Sequence, residues 1–235
     1  MLWPNAGRDT VWMLAGIVVL LVIFRASPGL DMAFSAYFFE PGIGFAMGSN
    51  PFWIGVRETF YHLPRALILG SWLWLGWRLY RRPVEPRAMA VPLLAALSAF
   101  IGPLLIVNWI LKEFWGRPRP YATLQFGGDE FYLPPGTIGD ACATNCSFVS
   151  GEAAAAFWTL WLVVLVPATW RRRIALALVA VASLVAVLRI AFGRHYISDV
   201  TIGGLIGIGS VTLVAWALQT ARGRRFVAGL LRQPA

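Results

Sequence analysis

The sequence carries little charge for its length. Charged residues make up 13% of its 235 residues, whereas ordinary soluble domains contain about 25%. Hydrophobic residues make up 58%, compared with roughly 45–50% in soluble domains. The mean hydropathy is +0.66. This balance excludes an ordinary soluble domain and predicts an integral membrane protein with a single domain, residues 1–235.

Lysine is almost absent, although the net charge is +9. Lys112 is the only lysine, and the other basic residues are arginines that mostly flank apolar runs. A nucleic-acid-binding surface needs a connected basic face, which this distribution does not provide. Anionic lipid headgroups and phosphate groups are therefore the expected partners. We expect no nucleic acid and no obligate protein partner.

Cysteine is scarce as well, with two residues in the stretch CATNC. Cys142 and Cys146 are close enough in sequence for a disulfide if their loop lies outside the cytoplasm, and two free thiols fit the sequence equally well. Two thiolates without neighbouring histidines make a poor zinc site. The sequence also lacks a Walker glycine loop and a carboxylate cluster for two metal ions. We therefore expect chemistry without a metal or cofactor.

Long apolar runs are abundant, and they are continuous rather than alternating, which favours helices over the strands of a membrane barrel. The sequence predicts an all-α fold, a bundle of six transmembrane helices. These are Thr10–Phe24, His62–Tyr80, Ala88–Leu111, Gly151–Ala168, Ile174–Leu188 and Val200–Thr220. The first run could also be a cleaved signal peptide, but Arg25 ends it and RASPG is a weak cleavage site, which favours a retained span.

The positions of the arginines predict the orientation. With the amino terminus in the cytoplasm, the WRLYRRPVEPR and WRRR connections and the ARGRR tail all lie inside. Both termini are then cytoplasmic, and the loops Lys112–Ser150 and Arg189–Asp199 share the outer face, which is the periplasmic face of a bacterial inner membrane. The segment Pro28–Phe60 is aromatic-rich and broken by glycine and proline. It is predicted to lie in the membrane interface, between the first two spans, as one or two short amphipathic helices.

Polar residues gather at this outer face in three places. After the third span, LKEFWGRPRPYA places Lys112, Arg117 and Arg119 among prolines that fix the backbone. Snorkelling cations around a helix end would give a similar pattern. These residues lie on the side where the positive-inside rule expects few cations, however, so an anion site is the better interpretation.

The junction of the last two spans, LRIAFGRHYISDV, carries Arg189, Arg194, His195 and Asp199. His195 and Asp199 are one helical turn apart, so their side chains can meet. A carboxylate bonded to one ring nitrogen fixes the tautomer of the imidazole. The other ring nitrogen is then available as a nucleophile or base.

The third place is SFVSGE, where the fourth span begins. Unpaired amides at a helix amino terminus bind anions, and Gly151 lets a ligand approach the backbone. Ser150 as an ordinary N-cap is compatible with this arrangement. Cations, free amides and an oriented histidine are together the groups that phosphoryl transfer requires.

These three motifs resemble the signature of the type 2 phosphatidic acid phosphatase superfamily. KEFWGRPRP is similar to its K-x6-R-P element, VSGE to its P-S-G-H element, and LRIAFGRHYISD to its S-R-x5-H-x3-D element. The resemblance implies a phosphohistidine on His195, held by Asp199. It also implies phosphate binding by the residues that match the remaining positions: Lys112, Arg119, Arg189, Ser150 and Gly151. Arg117 and Arg194 lie outside the fixed positions and are predicted as possible headgroup contacts.

Glu152 stands where the family has the histidine that protonates the leaving group. It is either a general acid tuned by its substrate or a positioning group, because nearby arginines favour the ionised form of a carboxyl group.

The predicted function is a membrane lipid phosphatase. Lipid A or another glycolipid is the favoured substrate, with isoprenoid diphosphate, phosphatidylglycerophosphate and phosphatidic acid as alternatives. The same phosphohistidine would also serve a lipid phosphotransferase. The replacement at Glu152 would also fit a non-catalytic protein that binds phospholipid headgroups. A transporter is disfavoured, because the ionisable residues gather at one face rather than at mid-membrane.

Overall fold

The computed structural model describes residues 3–81 and 86–230. Within these ranges the chain forms helices and no strand, as the sequence predicts. The helices are α1 Ala6–Ala26, α2 Gly29–Ala36, α3 Pro51–Tyr80, α4 Pro86–Ala99, α5 Gly151–Trp158, α6 Ala168–Ala191, α7 Ile197–Gln219 and α8 Ala221–Leu230. Short 3₁₀ turns cover Ala46–Gly48, Pro120–Ala122 and Leu124–Phe126.

Two of the helices change their winding. α4 continues as a π-helical segment, Phe100–Leu111, and ends in a short α-helical turn, Lys112–Phe114. Pro103 lies inside this segment, and a proline in a helix removes an amide donor and crowds the preceding turn. The side-chain amide of Asn108 donates to the carbonyl oxygen of Pro103 at 2.7 Å within this segment. α5 likewise continues as a 3₁₀ helix, Thr159–Leu165.

Among the residues that the structure describes, four helices are long and apolar enough to cross a membrane: Ala6–Ala26, Ala88–Phe114, Ala168–Ala191 and Ile197–Gln219. They correspond to the first, third, fifth and sixth predicted spans. The fourth predicted span, Gly151–Ala168, is a shorter apolar helix, Gly151–Leu165. The second, His62–Tyr80, lies within the 30 residues of α3, which is not among the four. The count of six spans and the interfacial position of Pro28–Phe60 therefore stay predictions.

The centre of the fold is α7, which contacts α1, α4, α5 and the π-helical segment. Glycines let it approach α5 closely. A Cβ atom on Gly203 would lie 2.7 Å from the carbonyl oxygen of Ser150, and one on Gly207 would lie 2.3 Å from that of Ala154. Small residues serve the same purpose at many helix contacts in membranes. The start of α7 is thereby held beside the start of α5, where the Ser150 amide donates to the Asp199 carbonyl oxygen at 3.0 Å.

The long loop between the π-helical segment and α5 folds over these two helix starts. Gly116 has a φ of 63°, and a Cβ atom there would lie 1.8 Å from the carbonyl oxygen of Gly139. Glycine is therefore required immediately before Arg117. Cys142 and Cys146 form a disulfide in this loop, so the structure favours the bridge over the two free thiols that the sequence left open.

We expect Gly207→Ala to lower the thermal stability of the protein, because its methyl group would collide with the backbone of α5. Overpacking of this kind costs about 1–3 kcal/mol. The matched control is Gly209→Ala on the same helix, where the nearest atom to a Cβ is the Cβ of Met13 at 3.4 Å, an ordinary contact distance. Unfolding in detergent, followed by tryptophan fluorescence, measures both variants. Equal melting temperatures would contradict the close packing of α5 and α7.

Candidate active site

A cavity of about 200 Å³ opens between α3, the π-helical segment, the loop that follows it, the start of α5 and the end of α6. Its cationic lining residues are Arg57, Arg65, Lys112, Arg119 and Arg189. Glu152 is the one acidic residue among the described residues of the lining. A concave surface dominated by one sign of charge concentrates ions of the opposite sign. The cavity is therefore suited to an anionic ligand.

His195 is positioned by a sharp turn after α6. Gly193 adopts a φ of 63°, and the His195 amide donates to the Arg189 carbonyl oxygen at 3.2 Å. The imidazole is 1% exposed and is not part of the cavity lining itself. Its Nδ1 atom lies 2.8 Å from the carbonyl oxygen of Ser147. A carbonyl oxygen only accepts hydrogen bonds, so Nδ1 carries the proton and Nε2 keeps a free lone pair.

The expected direct bond between His195 and Asp199 is not made. The Asp199 carboxylate oxygen lies 3.8 Å from Nδ1, beyond hydrogen-bond distance. It instead accepts from the Ser147 hydroxyl at 2.6 Å and from the Tyr196 amide at 2.9 Å. Asp199 thus holds Ser147, and Ser147 holds the imidazole. The predicted one-turn helical pairing does not hold, because His195 lies before α7, which begins at Ile197. The two side chains lie close together across the turn at the start of α7, and the sequence does not show that Ser147 connects them.

Arg117 is not placed as a headgroup contact, which corrects the expectation from the sequence. Its side chain is fully buried, and it pairs with Asp199 and, at 2.7 Å, with Asp31. It also donates to the Ser198 hydroxyl at 2.9 Å. Burial lowers the pKa of Arg117, but the carboxylates of Asp199 and Asp31 outweigh burial and raise this pKa above its ordinary value. Arg117 is a structural cation beneath the site.

Glu152 is held by two arginines. Its carboxylate oxygens accept from Arg57 Nη2 at 2.7 Å and from Arg57 Nε at 3.3 Å. Arg189 Nη1 lies 3.4 Å from the first of these oxygens. Two guanidinium partners stabilise the ionised form of a carboxyl group. The contacts therefore favour a positioning role for Glu152 over proton donation.

The predicted phosphate-binding residues come together at the cavity, with one exception. Lys112, Arg119, Arg189 and Gly151 line it. Ser150 is buried, and its hydroxyl caps α5 by accepting from the Ala153 amide at 3.3 Å. The ordinary N-cap is therefore what the structure shows for Ser150. Arg194 is exposed beside the Tyr121 ring, with its Cζ 4.8 Å from the ring centroid.

Asn145 orients two of these cations. Its side-chain oxygen accepts from Lys112 Nζ at 3.0 Å, and its backbone oxygen accepts from Arg119 Nη2 at 2.7 Å. Gly151 has a packing role as well, because a Cβ atom there would lie 2.6 Å from the side-chain oxygen of Asn108.

Sequence reasoning missed several residues at and beneath the site: Asp31, Arg57, Arg65, Asn108, Asn145 and Ser147. None of them lies in a short sequence motif together with the residue that it contacts in the structure. Asp31 had one signal, a lone acid in the otherwise apolar segment GLDMAFSA. Within the residues that the structure describes, no three His, Cys, Asp or Glu side chains are grouped as metal ligands.

The surroundings of His195 keep its ring neutral. Burial lowers the pKa of His195 well below its ordinary value of 6.5, and the nearby cations Lys112, Arg189 and Arg119 lower it further. Glu152 raises it, but by less. A histidine whose folded-state pKa is depressed stays unprotonated through the neutral range, which is the form that a nucleophile requires.

We expect the His195 ring to remain neutral from pH 8 down to pH 6. The other histidine, His62, is exposed, so His62→Gln leaves His195 as the only histidine of the two. NMR of isotope-labelled histidine in detergent then follows its titration directly. The same sample unfolded in denaturant is the control and should titrate near pH 6.5. A midpoint at or above that value in the folded protein would contradict the depressed pKa.

Comparisons with known proteins agree with the three motifs. Residues 87–223 match the PAP2 superfamily, and this range contains every predicted site residue. The chain is 38% identical to a lipid A 4'-phosphatase of Rhizobium etli over 79% of this chain and 78% of the relative. It is 30% identical to the lipid A 4'-phosphatase of Francisella tularensis subsp. novicida over 82% of this chain and 89% of the relative.

A solved structure has the same fold. It is a transmembrane PAP2-type phosphatidylglycerolphosphate phosphatase from Bacillus subtilis, which superimposes with a TM-score of 0.54 at 18% identity. The match covers 88% of this chain and 94% of that one. The motifs, the extent of the family match and the identity to curated relatives all agree, and the chain belongs to the PAP2 superfamily.

Proposed function

We propose that this protein is a membrane lipid phosphatase that removes a phosphate group from lipid A or a related glycolipid. The observation that carries the proposal is the placement of His195. Its Nδ1 is held by the Ser147 carbonyl oxygen at 2.8 Å, which leaves the Nε2 lone pair free. Three nearby cations, Lys112, Arg119 and Arg189, line the cavity that is suited to an anion. The relatives that are 30–38% identical are lipid A 4'-phosphatases, which favours this substrate over the other lipids.

The chemistry would proceed in two steps. The Nε2 lone pair attacks phosphorus, the bond from phosphorus to the lipid oxygen breaks, and that oxygen leaves with the electron pair and takes up a proton from water. Water then attacks the phosphohistidine, the nitrogen–phosphorus bond breaks, and inorganic phosphate is released. Fixed cations and amides that stabilise the transferring oxygens are the main source of such catalysis. In this role we place Lys112, Arg119, Arg189 and the start of α5 at Ser150 and Gly151.

We assign Glu152 to positioning. The carboxylate joins Arg57 to Arg189 across the cavity wall, so it sets where the Arg189 guanidinium meets the substrate. When a phosphate is removed from a 4′ ring position, the ring oxygen leaves as an alkoxide and needs a proton. A carboxyl group that two guanidinium partners hold in its ionised form has no proton to give. The general-acid alternative requires the incoming phosphate to draw Arg189 away from Glu152.

The proposed location is a bacterial inner membrane, with both termini in the cytoplasm and the site on the periplasmic side. The support is the distribution of arginines together with the disulfide between Cys142 and Cys146 in the predicted outer loop, since disulfides persist outside the cytoplasm. Labelling with a membrane-impermeant maleimide after mild reduction of intact cells tests this. Labelling that requires broken cells would overturn the orientation.

The purified protein should release inorganic phosphate from lipid A, and His195→Asn should lose roughly 10³-fold or more of this activity because the nucleophile is gone. His62→Asn is the matched control, since that side chain is exposed, and it should keep wild-type activity. The assay is run with EDTA on a panel that adds phosphatidic acid, phosphatidylglycerophosphate and an isoprenoid diphosphate.

Three outcomes would contradict parts of the proposal. Loss of activity in EDTA would contradict metal independence. Consumption of lipid with transfer of phosphate to a second lipid, and no free phosphate, would indicate the phosphotransferase. Binding of lipid without turnover of any substrate would indicate the non-catalytic protein.

Glu152→Gln should reduce activity by the same factor on lipid A and on an isoprenoid diphosphate. We expect roughly tenfold, the effect of one weakened charge-assisted contact, because a positioning group acts regardless of the leaving group. A proton donor would behave differently, since the alkoxide of lipid A needs protonation more than a phosphate leaving group does. A loss confined to lipid A, with recovery in Glu152→His, would identify Glu152 as the general acid.

A further inference from the structure

Arg65 is a cation in the cavity that the phosphoryl-transfer chemistry does not use. It lies on α3 and lines the cavity together with Arg57. Its guanidinium carbon is 3.2 Å from the centroid of the Tyr61 ring, four residues earlier and therefore on the same face of the helix. The guanidinium carbon of Arg57 is 4.3 Å from the same centroid. Tyr61 thus holds two guanidinium groups at one side of the cavity.

The two arginines differ in their partners. Arg57 is paired with Glu152 at 2.7 Å and also with Glu58. Arg65 forms no ion pair and no hydrogen bond with any residue that the structure describes; its contact is the Tyr61 ring. A guanidinium group offers five N–H donors in a planar fork that matches phosphate and carboxylate groups. Arg65 therefore has free donors at the cavity.

Arg65 is exposed at the cavity and has no acidic side chain that the structure describes in direct contact, since Glu152 and Glu58 act on it only beyond ion-pair distance. Arg65 falls within His62–Tyr80, the predicted second span, and an unpaired charge near hydrocarbon is unfavourable. A snorkelling arginine would extend towards lipid headgroups, but the stacking on Tyr61 and the place of Arg65 in the lining keep this guanidinium at the cavity. Its N–H donors have no hydrogen-bond partner among the described residues, so they are available to an anion that enters the cavity with the ligand.

We propose that Arg65 binds a second anionic group of the lipid substrate, one that is not removed, and so selects lipids that carry two anionic groups. This rests on the proposed function, with the reacting phosphate held by Lys112, Arg119 and Arg189. The chemical class is a phosphate or carboxylate on the same headgroup. The cavity of about 200 Å³ is several times the roughly 30 Å³ that one water occupies, so it admits more than a single phosphate group.

The test compares wild type and Arg65→Gln on matched lipids. One is lipid A with the 4′ phosphate as its single anionic group, the second carries a further phosphate, and the third carries a carboxylate on an added acidic sugar. We expect Arg65→Gln to raise KM about 10-fold or more on a lipid with two anionic groups, as for the loss of a charge-assisted contact. The kcat should not change, and the singly anionic lipid should be unaffected. The second and third lipids show whether the group is a phosphate or a carboxylate.

Four further variants sharpen the comparison. Arg78→Gln removes the same charge from α3 roughly 20 Å further along the helix, at about 1.5 Å per residue, and should leave all KM values unchanged. Arg65→Lys keeps the charge and should restore part of the discrimination. Tyr61→Phe keeps the ring and should retain the discrimination between singly and doubly anionic lipids. Tyr61→Leu removes the ring that holds Arg65 and should weaken this discrimination.

Equal effects of Arg65→Gln on all three lipids, or no effect on any, would overturn the proposal while leaving the phosphatase function intact. If the wild type hydrolyses none of the three lipids, the proposed function is contradicted instead. The role of Arg65 is then tested by measuring how tightly the same three lipids bind to the His195→Asn protein, with tryptophan fluorescence as the readout. If Arg65→Gln does not selectively weaken the binding of doubly anionic lipids in that background, Arg65 is not the second site.

Discussion

The rest of the site depends on the buried contacts of Arg117. This guanidinium pairs with Asp31 in α2 and with Asp199 in the first turn of α7. All three side chains are fully buried. Buried charges cost several kcal/mol each to desolvate and are tolerated only when their partners are in place. Asp199 in turn holds Ser147, and Ser147 holds the imidazole of His195. The orientation of the proposed nucleophile is therefore set by a chain of contacts that lies entirely behind the cavity.

A second set of contacts controls the front of the cavity. Glu152 joins α3 to the end of α6 through Arg57 and Arg189, at the position where the family has a histidine. Compared with a histidine at this position, Glu152 has two effects: it replaces a group that can act as a cationic acid with a carboxylate, and it adds a tether between helices. Arg57 is the compensating residue, because without its guanidinium the carboxylate would repel the phosphate that the other cations attract.

The chemistry-bearing residues could be predicted from the sequence to the extent that they lie in short motifs. The four-residue spacing of His195 and Asp199 and the basic run from Lys112 to Arg119 both mark positions near helix ends. Membrane-length helices bring such ends to one face, which is why Lys112, Arg119 and Arg189 meet at one cavity. Pairings over long separations could not be predicted. Arg117 with Asp31 and Arg57 with Glu152 follow from helix packing, and no local pattern encodes that. Because glycine and proline interrupt Pro28–Phe60, the start of α3 at Pro51 was not predicted from the sequence. Asn50 followed by proline is nevertheless a recognisable helix start.

The disulfide has a practical consequence for work with this protein. Asn145 lies inside the small covalent ring that Cys142 and Cys146 close, and its backbone is in the left-handed region with a φ of 51°. The oxygens of this one residue orient both Lys112 and Arg119, so their alignment rests on a cross-link rather than on a helix. Reducing agents such as dithiothreitol, added routinely during purification, would open that ring. Preparations for biochemical work are therefore best kept oxidised from lysis onward.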